Sequence, residues 1–370
     1  MENTAIIGTF FGDCAKASLA YNLSKQFDFL IRTSGGSNCG HTVFHNGIKF
    51  VHHLVPSANY LNSLVQGYLG AGMVIHPESL LEELLSLEQI IPGVSKRIFV
   101  DPDAFVVLQK HIEEDKAKNK DLGSTNKGIG PAYTEKVSRR GTKIRDLIRD
   151  NNEYILLLQK MGVRFQYVLE KYNELKYANL LFEGSQSLLL DLHFGTYPYV
   201  TSGDCTVNSI INSGFMFAMP TRIIGVSKCY STRVGEGPYP TEIFGEQAEE
   251  LRRIGNEYGA TTGRSRRVGW LDLPALKYAI IKSGINSLMI SKLDILNGME
   301  NIPVCNSYDV DPVSAFDFFS AKPKYISLPG WDDPRRQEET CQFLNYIQDF
   351  TNCRINYISC GTKETDLLSW

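Results

Sequence analysis

Asp13 and Lys16 stand three residues apart in the stretch Gly8-Thr9-Phe10-Phe11-Gly12-Asp13-Cys14-Ala15-Lys16-Ala17-Ser18. A lysine at the opening of a helix can meet an anion together with backbone N–H groups, and a carboxylate beside it can hold Mg²⁺ or take a proton. The phosphate-loop pattern GxxxxGK[ST] is absent, so from these residues alone an ordinary strand-to-helix turn reads the same way. A second set lies in Thr33-Ser34-Gly35-Gly36-Ser37-Asn38-Cys39-Gly40-His41-Thr42, where an amide and an imidazole sit among glycines. His41 could meet Asp13 there, or simply face solvent.

More such stretches follow. Gly123-Ser124-Thr125-Asn126-Lys127-Gly128-Ile129-Gly130 offers hydroxyls and backbone donors enough to wrap a phosphate. Behind it, Arg139-Arg140 reads equally as a bidentate phosphate clamp or an exposed helix end. The apolar run Leu180-Leu181-Phe182-Glu183 opens into Gly184-Ser185-Gln186, whose amide can bond a purine edge. Turn chemistry accounts for most of Gly195 to Gly203. Three arginines, Arg264, Arg266 and Arg267, set within Gly259 to Asp272, suit a carboxylate or phosphate and equally a solvated charge run. Lys292-Leu293-Asp294 and Ser359-Cys360-Gly361 each close a strand-like run. A carboxylate can accept both N1–H and the exocyclic amino group of guanine while a lysine stem lies along the ring, so Lys292 and Asp294 resemble the base-specificity elements of GTP-binding proteins.

The elements that must position these groups alternate between β and α. Strands are expected over Ala5 to Ile7, Phe27 to Arg32, Lys49 to Pro56, Leu64 to Val74, Phe99 to Asp101, Phe105 to Leu108, Arg222 to Lys228, Leu288 to Ser291 and Ile355 to Ile358. Helices are expected over Lys16 to Gln26, Pro77 to Glu88, Lys110 to Lys120, about Asp150 to Leu175, and Gln247 to Tyr258. Open α/β sheets bind ligands at the carboxyl ends of their strands, which is where most of the loops above fall. No repeat, low-complexity tract or linker divides the chain, so residues 1–370 read as one domain.

With 370 residues, 43% of them hydrophobic, the chain can bury a full core. A net charge of −3 gives no overall basic footprint, which points to small molecules rather than nucleic acid as partners. Eight scattered cysteines without a CxxC pair fit a reducing compartment. No signal-like opening or membrane-length apolar run appears, and the expected location is the cytoplasm.

Taken in order, these motifs resemble adenylosuccinate synthetases along almost the whole chain. The resemblance is carried by Gly12-Asp13, Asn38 with Gly40-His41-Thr42, Gly128 to Tyr133, Glu183-Gly184 with Gln186, Tyr197 to Thr201, Ser231 to Gly235, Gly259 to Arg264 and Lys292-Leu293-Asp294. It implies a mainly parallel sheet flanked by helices, related to P-loop nucleotide-binding folds. It also implies a ligase that joins L-aspartate to IMP using GTP and Mg²⁺, by phosphorylating the purine 6-oxygen and displacing it with the aspartate amine. By position, Asp13 would take the N1 proton and bind Mg²⁺ with the Gly40 carbonyl, and His41 would assist phosphoryl transfer. Gly12, Lys16, Thr42 and Arg266 would lie on the GTP side, with Lys292, Asp294, Ser359 and Gly361 around guanine. Asn38, Ser124, Thr125, Gln186 and Thr201 would hold IMP, and Thr261, Thr262 and Arg264 would hold aspartate. Arg139 would reach the IMP phosphate of a neighbouring subunit, making a homodimer with shared sites.

The departures are local. Where the family's first loop usually reads Gly-Asp-Glu-Gly-Lys-Gly-Lys, this chain has Cys14, Ala15, Ala17 and Ser18, which restricts φ and sets methyl groups where phosphate would meet backbone. Ser124 replaces a usual threonine, and Asn126-Lys127 stand where Gly-Arg is usual. Two other readings follow: a phage-type ligase that uses dGMP, although those forms typically lose the aspartate kept here as Asp13, and a nucleotide-binding relative without catalysis. Retention of Asp13, His41 and Arg264 together favours the active IMP ligase.

Overall fold

The computed structural model describes residues 2–45, 47–61, 63–118, 124–259, 263, 265–335 and 337–370. Its centre is the strand Thr4–Gly8 (β1), buried at every position because Ala5, Ile6 and Ile7 are apolar on both faces. Nine more strands extend the sheet: Phe29–Arg32 (β2), Gln66–Leu69 (β3), Ile98–Val100 (β4), Arg164–Phe165 (β5), Leu180–Glu183 (β6), Arg222–Lys228 (β7), Ser287–Ser291 (β8), Ile355–Ser359 (β9) and Leu367–Ser369 (β10). In space they run β10-β9-β8-β7-β1-β6-β2-β3-β4-β5. All neighbours are parallel except the edge pair β9 and β10. The chain leaves β1 in one direction towards β5 and later returns to build the other, so the strand order reverses around β1. In such a sheet the crevice at the carboxyl ends beside that reversal is the natural ligand site.

Both faces are covered, and alternate residues of β1 show how. Ile6 packs with Leu19, Ala20 and Leu23 of the helix Lys16–Leu23 (α1), while Ala5 faces Phe29, Phe182 and Phe215 on the other side. The mainly parallel α/β architecture expected from the sequence is therefore present. Several elements differ in detail. The helix expected over Asp150 to Leu175 is a helix only over Glu153–Met161; left-handed Gly162 ends it, β5 follows, and a short helix spans Tyr172–Leu175. The expected strand Leu64 to Val74 is cut at Gly70-Ala71-Gly72 into β3 and the two-residue strand Val74–Ile75. His41 opens a strand, His41–His45, which pairs with Ile48–His52 as a hairpin outside the main sheet. A three-stranded sheet, built from Leu271–Asp272, Asn301–Tyr308 and Pro323–Pro329, is a further addition.

The loops over the sheet edge are tied down by a buried arginine. Arg233 is 1% exposed and lies 4.2 Å from the centre of the Phe11 ring. It donates to the carbonyls of Glu236 and Pro238 at 2.9 Å, the Tyr199 carbonyl at 3.2 Å and Thr196 Oγ1 at 3.1 Å. A rigid guanidinium fork can meet four acceptors that an ammonium cannot span. Arg233→Lys should therefore strand buried carbonyls and destabilise the protein by about 2–4 kcal/mol. Urea unfolding would show this as a lower midpoint at unchanged slope, and a wild-type midpoint would contradict it.

Candidate active site

The loop between β1 and α1 turns through left-handed residues: Gly12 at φ 94, Asp13 at φ 50 and Ala15 at φ 72. Ala15 sits at the N-cap of α1 and gives it no side-chain cap, so backbone donors at that end remain for another acceptor. The loop is pinned to neighbouring strand ends. Ser291 Oγ donates to the Cys14 carbonyl at 3.2 Å, and Lys16 Nζ donates to the Gln186 carbonyl. Gly8 must be glycine, since a Cβ there would lie 1.8 Å from Ser187 Oγ. Asp13 keeps 35% of its side-chain surface exposed and is gripped at Oδ2 by Arg266 Nη2, 3.0 Å away. Arg266 donates with Nη1 to Glu257, while Arg267 pairs with Glu242. These two arginines are thus engaged in ion pairs and are not a solvated charge run.

A second buried network lies at the ends of β2 and β6, where the register sets Arg32 beside Glu183. Glu183 is fully buried; Oε1 accepts from His41 Nδ1 at 2.6 Å and Oε2 from the Ser57 N–H at 2.9 Å. Burial alone would discharge His41, but the Glu183 carboxylate and a contact with the Cys39 sulfur lift its pKa above the usual value. Burial likewise opposes the Glu183 charge, yet His41 and Arg32 hold that carboxyl well below its ordinary range. Arg32 donates to Ser185 Oγ at 2.8 Å and to the His53 carbonyl. Against burial, Arg32 and His41 also bring the Cys39 thiol down to about 6, and Gln186 Nε2 donates to its sulfur at 2.9 Å. Asn38, close by in sequence, has a buried Oδ1 that meets no partner among the described residues.

A third group gathers at the ends of β8 and β9. Lys292 is left-handed (φ 62) and starts the turn Leu293–Leu296 that carries Asp294. Asp294 Oδ1 is buried with no partner among the described residues, and burial raises the carboxyl above its ordinary value. Ser359 Oγ donates to the Gly361 carbonyl at 3.1 Å, and a Cβ on Gly361 would come within 2.3 Å of Asp366. A carboxylate oxygen held out of water without a donor is an incomplete site, and two N–H groups on one ring edge would complete it.

The remaining candidates are more scattered. Ser124 Oγ donates to Asp115 at 2.7 Å, and Thr125 is exposed. The Gly40 backbone and Thr42 flank His41, and Thr201 is held by its N–H to the Leu190 carbonyl at 2.8 Å. Arg139 is exposed and left-handed (φ 64), just past the helix Ile129–Val137, which fits the exposed-helix-end reading of that pair within this chain. Thr261, Thr262 and Arg264 lie outside the described residues. The sequence reading gave no role to Arg32, Glu183, Lys228 or Glu257. A signal was available for three of them: Arg32, Glu183 and Lys228 each end an apolar strand with a charge at the sheet's carboxyl edge.

Comparison with known proteins points to one family. The adenylosuccinate synthetase family model matches residues 5–179 and 148–368. Adenylosuccinate synthetases of Petrotoga mobilis and Finegoldia magna are 42% and 39% identical to the chain, covering 100% of it and 97% and 98% of their own lengths. The structure of fully ligated adenylosuccinate synthetase from Plasmodium falciparum matches with a TM-score of 0.90 at 28% identity over 100% of both chains. Cyanophage S-2L succinoaminodeoxyadenylate synthetase, bound to dGMP and dATP, matches at 0.74 and 23% identity over 100% of this chain and 95% of its own, a likeness of fold.

The His41–Glu183 pair can be tested by pH. Glu183's pKa is depressed from 4.5, so its contribution is present above 4.5 and fades as pH falls through the folded value. His41's is raised from 6.5, so its contribution is full below 6.5 and fades as pH rises through the folded value. Glu183→Gln should cost about 3–5 kcal/mol between those limits, because it leaves buried cations unpaired. The gap should narrow in unfolding experiments at alkaline pH. An equal gap at both pH values would contradict the pairing.

Proposed function

The chain belongs to the adenylosuccinate synthetase family, and on that premise we propose how its own residues carry out the reaction. The protein is a ligase that joins L-aspartate to IMP with GTP as co-substrate, in purine nucleotide biosynthesis. In the proposed mechanism Asp13 accepts the N1 proton of IMP, which makes the 6-oxygen a nucleophile toward the γ-phosphorus of GTP; GDP leaves. The aspartate amine then attacks C6 and phosphate departs. The observation that carries this reading is Asp13 itself, held by Arg266 at one oxygen yet 35% exposed, so that its carboxylate is oriented and still reachable. His41, kept charged by Glu183, stabilises the negative charge that passes through the transferring phosphoryl group.

The other assignments rest on position and chemistry. Asn38 and Gln186, with Ser124, Thr125 and Thr201, hold IMP; the unpartnered Asn38 oxygen supports this. Thr261, Thr262 and Arg264 hold aspartate. Gly12, Lys16, Thr42 and Arg266 face the triphosphate, and Lys292, Asp294, Ser359 and Gly361 read guanine, for which the unpartnered Asp294 oxygen speaks. Mg²⁺ would be held by the Asp13 carboxylate and the Gly40 carbonyl, hard oxygen donors of the kind this cation takes alongside phosphate and water. When bound it would neutralise charge on the phosphates.

The proposed working form is one synthetase unit spanning residues 1–370, paired as a homodimer in which Arg139 reaches the partner's IMP phosphate. The exposure of Arg139 beside the exposed Val137 supports that placement. Eight unpaired cysteines, seven of them buried, support a cytoplasmic setting. Among the described residues no helix is long and apolar enough to cross a membrane.

Asp13→Asn should lower kcat by more than the ~10²–10⁴ typical of a general base, because it removes a metal ligand as well. Near-normal turnover would overturn the assignment. The acceptor offers a separate test. In the proposed pose a 2-amino group would crowd the Asp13 carboxylate, so IMP should outcompete dGMP at saturating GTP and aspartate by more than the ~10–200-fold that one methylene supplies. Product mass separates the two, and a predominant 2-amino product would favour the dGMP reading.

A further inference from the structure

Glu257 follows the helix Glu246–Gly255, whose end is marked by left-handed Asn256 (φ 48). Its side chain is fully buried and gathers three cations. Lys228 Nζ lies 2.8 and 2.9 Å from the two carboxylate oxygens, and Lys292 Nζ lies 2.8 Å from Oε1. Arg266 donates to Oε2, and the Tyr230 hydroxyl donates to Oε1. With its other terminal nitrogen Arg266 reaches Asp13 at 3.0 Å. The Lys292 ammonium also donates to the Gly255 carbonyl, so the residue that opens the Asp294 turn is tied down at its tip.

One carboxylate therefore touches the arginine that orients Asp13 and the lysine that starts the turn carrying Asp294. Lys228, Lys292 and Arg266 set against Glu257 and Asp13 leave one cation in excess. Burial, which outweighs the pull of Glu257, and repulsion from Lys292 and Arg266 bring Lys228 down to about 8. Such crowding is held together only while Glu257 is charged, because removing the common counter-ion leaves buried cations facing one another. Without it Lys292 and Arg266 would both move, and each would take a different part of the site along.

We infer that Glu257 is a positioning residue that fixes the guanine-reading turn and the Asp13 carboxylate in one geometry, so that donor selection and activation of the 6-oxygen depend on the same buried charge. The inference rests on the roles proposed for Asp13 and Asp294. It requires no contact between Glu257 and substrate.

A purely structural carboxylate would cost stability and leave the relative use of two donor bases alone, so the informative measurement is a ratio. With the full-length protein, kcat and kcat/KM are measured for GTP and ATP in wild type, Glu257→Gln and Glu257→Asp, beside thermal melts. In Glu257→Gln the GTP:ATP ratio of kcat/KM should fall about tenfold or more, as for one misplaced hydrogen-bonding group, and kcat with GTP should fall as well. Glu257→Asp, which keeps the charge, should recover most of the ratio. A folded Glu257→Gln protein with wild-type ratio and kcat overturns the inference, and so does a loss of stability alone. Should Glu257→Gln not fold, the pair Glu257→Gln with Lys228→Met, carrying one cation fewer, is judged by the same ratio. A wild-type protein indifferent to the donor base would count against the Asp294 assignment instead. Glu257 is then judged on kcat at saturating substrates, where an unchanged value overturns it.

Discussion

Parallel strands deliver their last residues to a single edge of the sheet, and in this protein those residues include charges that are shut away from water. Arg32 ends β2, Glu183 ends β6 and Lys228 ends β7, each of them 2% exposed or less. A buried charge must be met by an opposite charge or by several hydrogen bonds, or it will not stay ionised. The loops above the sheet supply what is missing. The hairpin strand His41–His45 begins by setting an imidazole on Glu183, and the segment after the helix Glu246–Gly255 brings Glu257 down onto Lys228. Charge neutralisation at the edge therefore decides where the loops sit, and the loops carry the residues to which the proposed mechanism assigns the chemistry.

Two buried glutamates show how differently such sites can be resolved. Glu183 keeps its charge because two cations outweigh its desolvation. Glu83 is also buried, and although it accepts the N–H groups of His53, Leu54 and Val55, burial dominates and pushes it up to about 7. At Glu83 the three N–H donors do not outweigh desolvation, whereas at Glu183 the charges of His41 and Arg32 do. A glutamate that titrates near neutrality could not hold His41 charged, whereas Glu183 can. Direct contact with His41 at 2.6 Å is what separates the two cases, since the Arg32 charge draws both carboxyls down.

The sequence made the strands legible where apolar runs were short and bounded, as in β1, β2, β7, β8 and β9, because burial on both faces leaves that signature. It also located the loops that carry Asp13, His41, Gln186 and Asp294, since glycines and strand ends mark them. Which charges meet which was not legible. Asp13 and Glu257 lie far apart in the chain and come together only through Arg266, and nothing in local spacing tells an arginine in an ion-pair network from one in a solvated run. Arg233 is the clearest case: it reads as one polar residue in a motif, yet it closes two loops at once by meeting four acceptors. The break at Gly162 did carry a signal: Val163, Phe165, Tyr167 and Val168 after it are β-branched or aromatic, and a glycine ahead of them marks a left-handed cap rather than a helix interior.

Each altered residue of the first loop is accommodated in its own way. Ala17 does not put its methyl where a phosphate would approach; it is 4% exposed and packs into the core with Ile6 and Leu19, on the inward side of α1. Cys14 is likewise in that core, 3% exposed. Of the changes at 14, 15 and 17, only Ala15 meets the loop's conformational demand, taking the left-handed φ of 72 that glycine would adopt freely. Holding an alanine there costs roughly 1–2 kcal/mol. The loop keeps the conformation because other contacts over-determine it: Cys14 is bonded through its carbonyl to Ser291, and Lys16 is anchored on Gln186. The substitutions thus add backbone strain at one residue and apolar packing at two others, and they leave Asp13 on Arg266 and the uncapped end of α1 in place. Those two features need a left-handed residue at position 15 but no particular side chain, which is why a loop short of glycine can still present the carboxylate and the helix end on which the proposed mechanism rests.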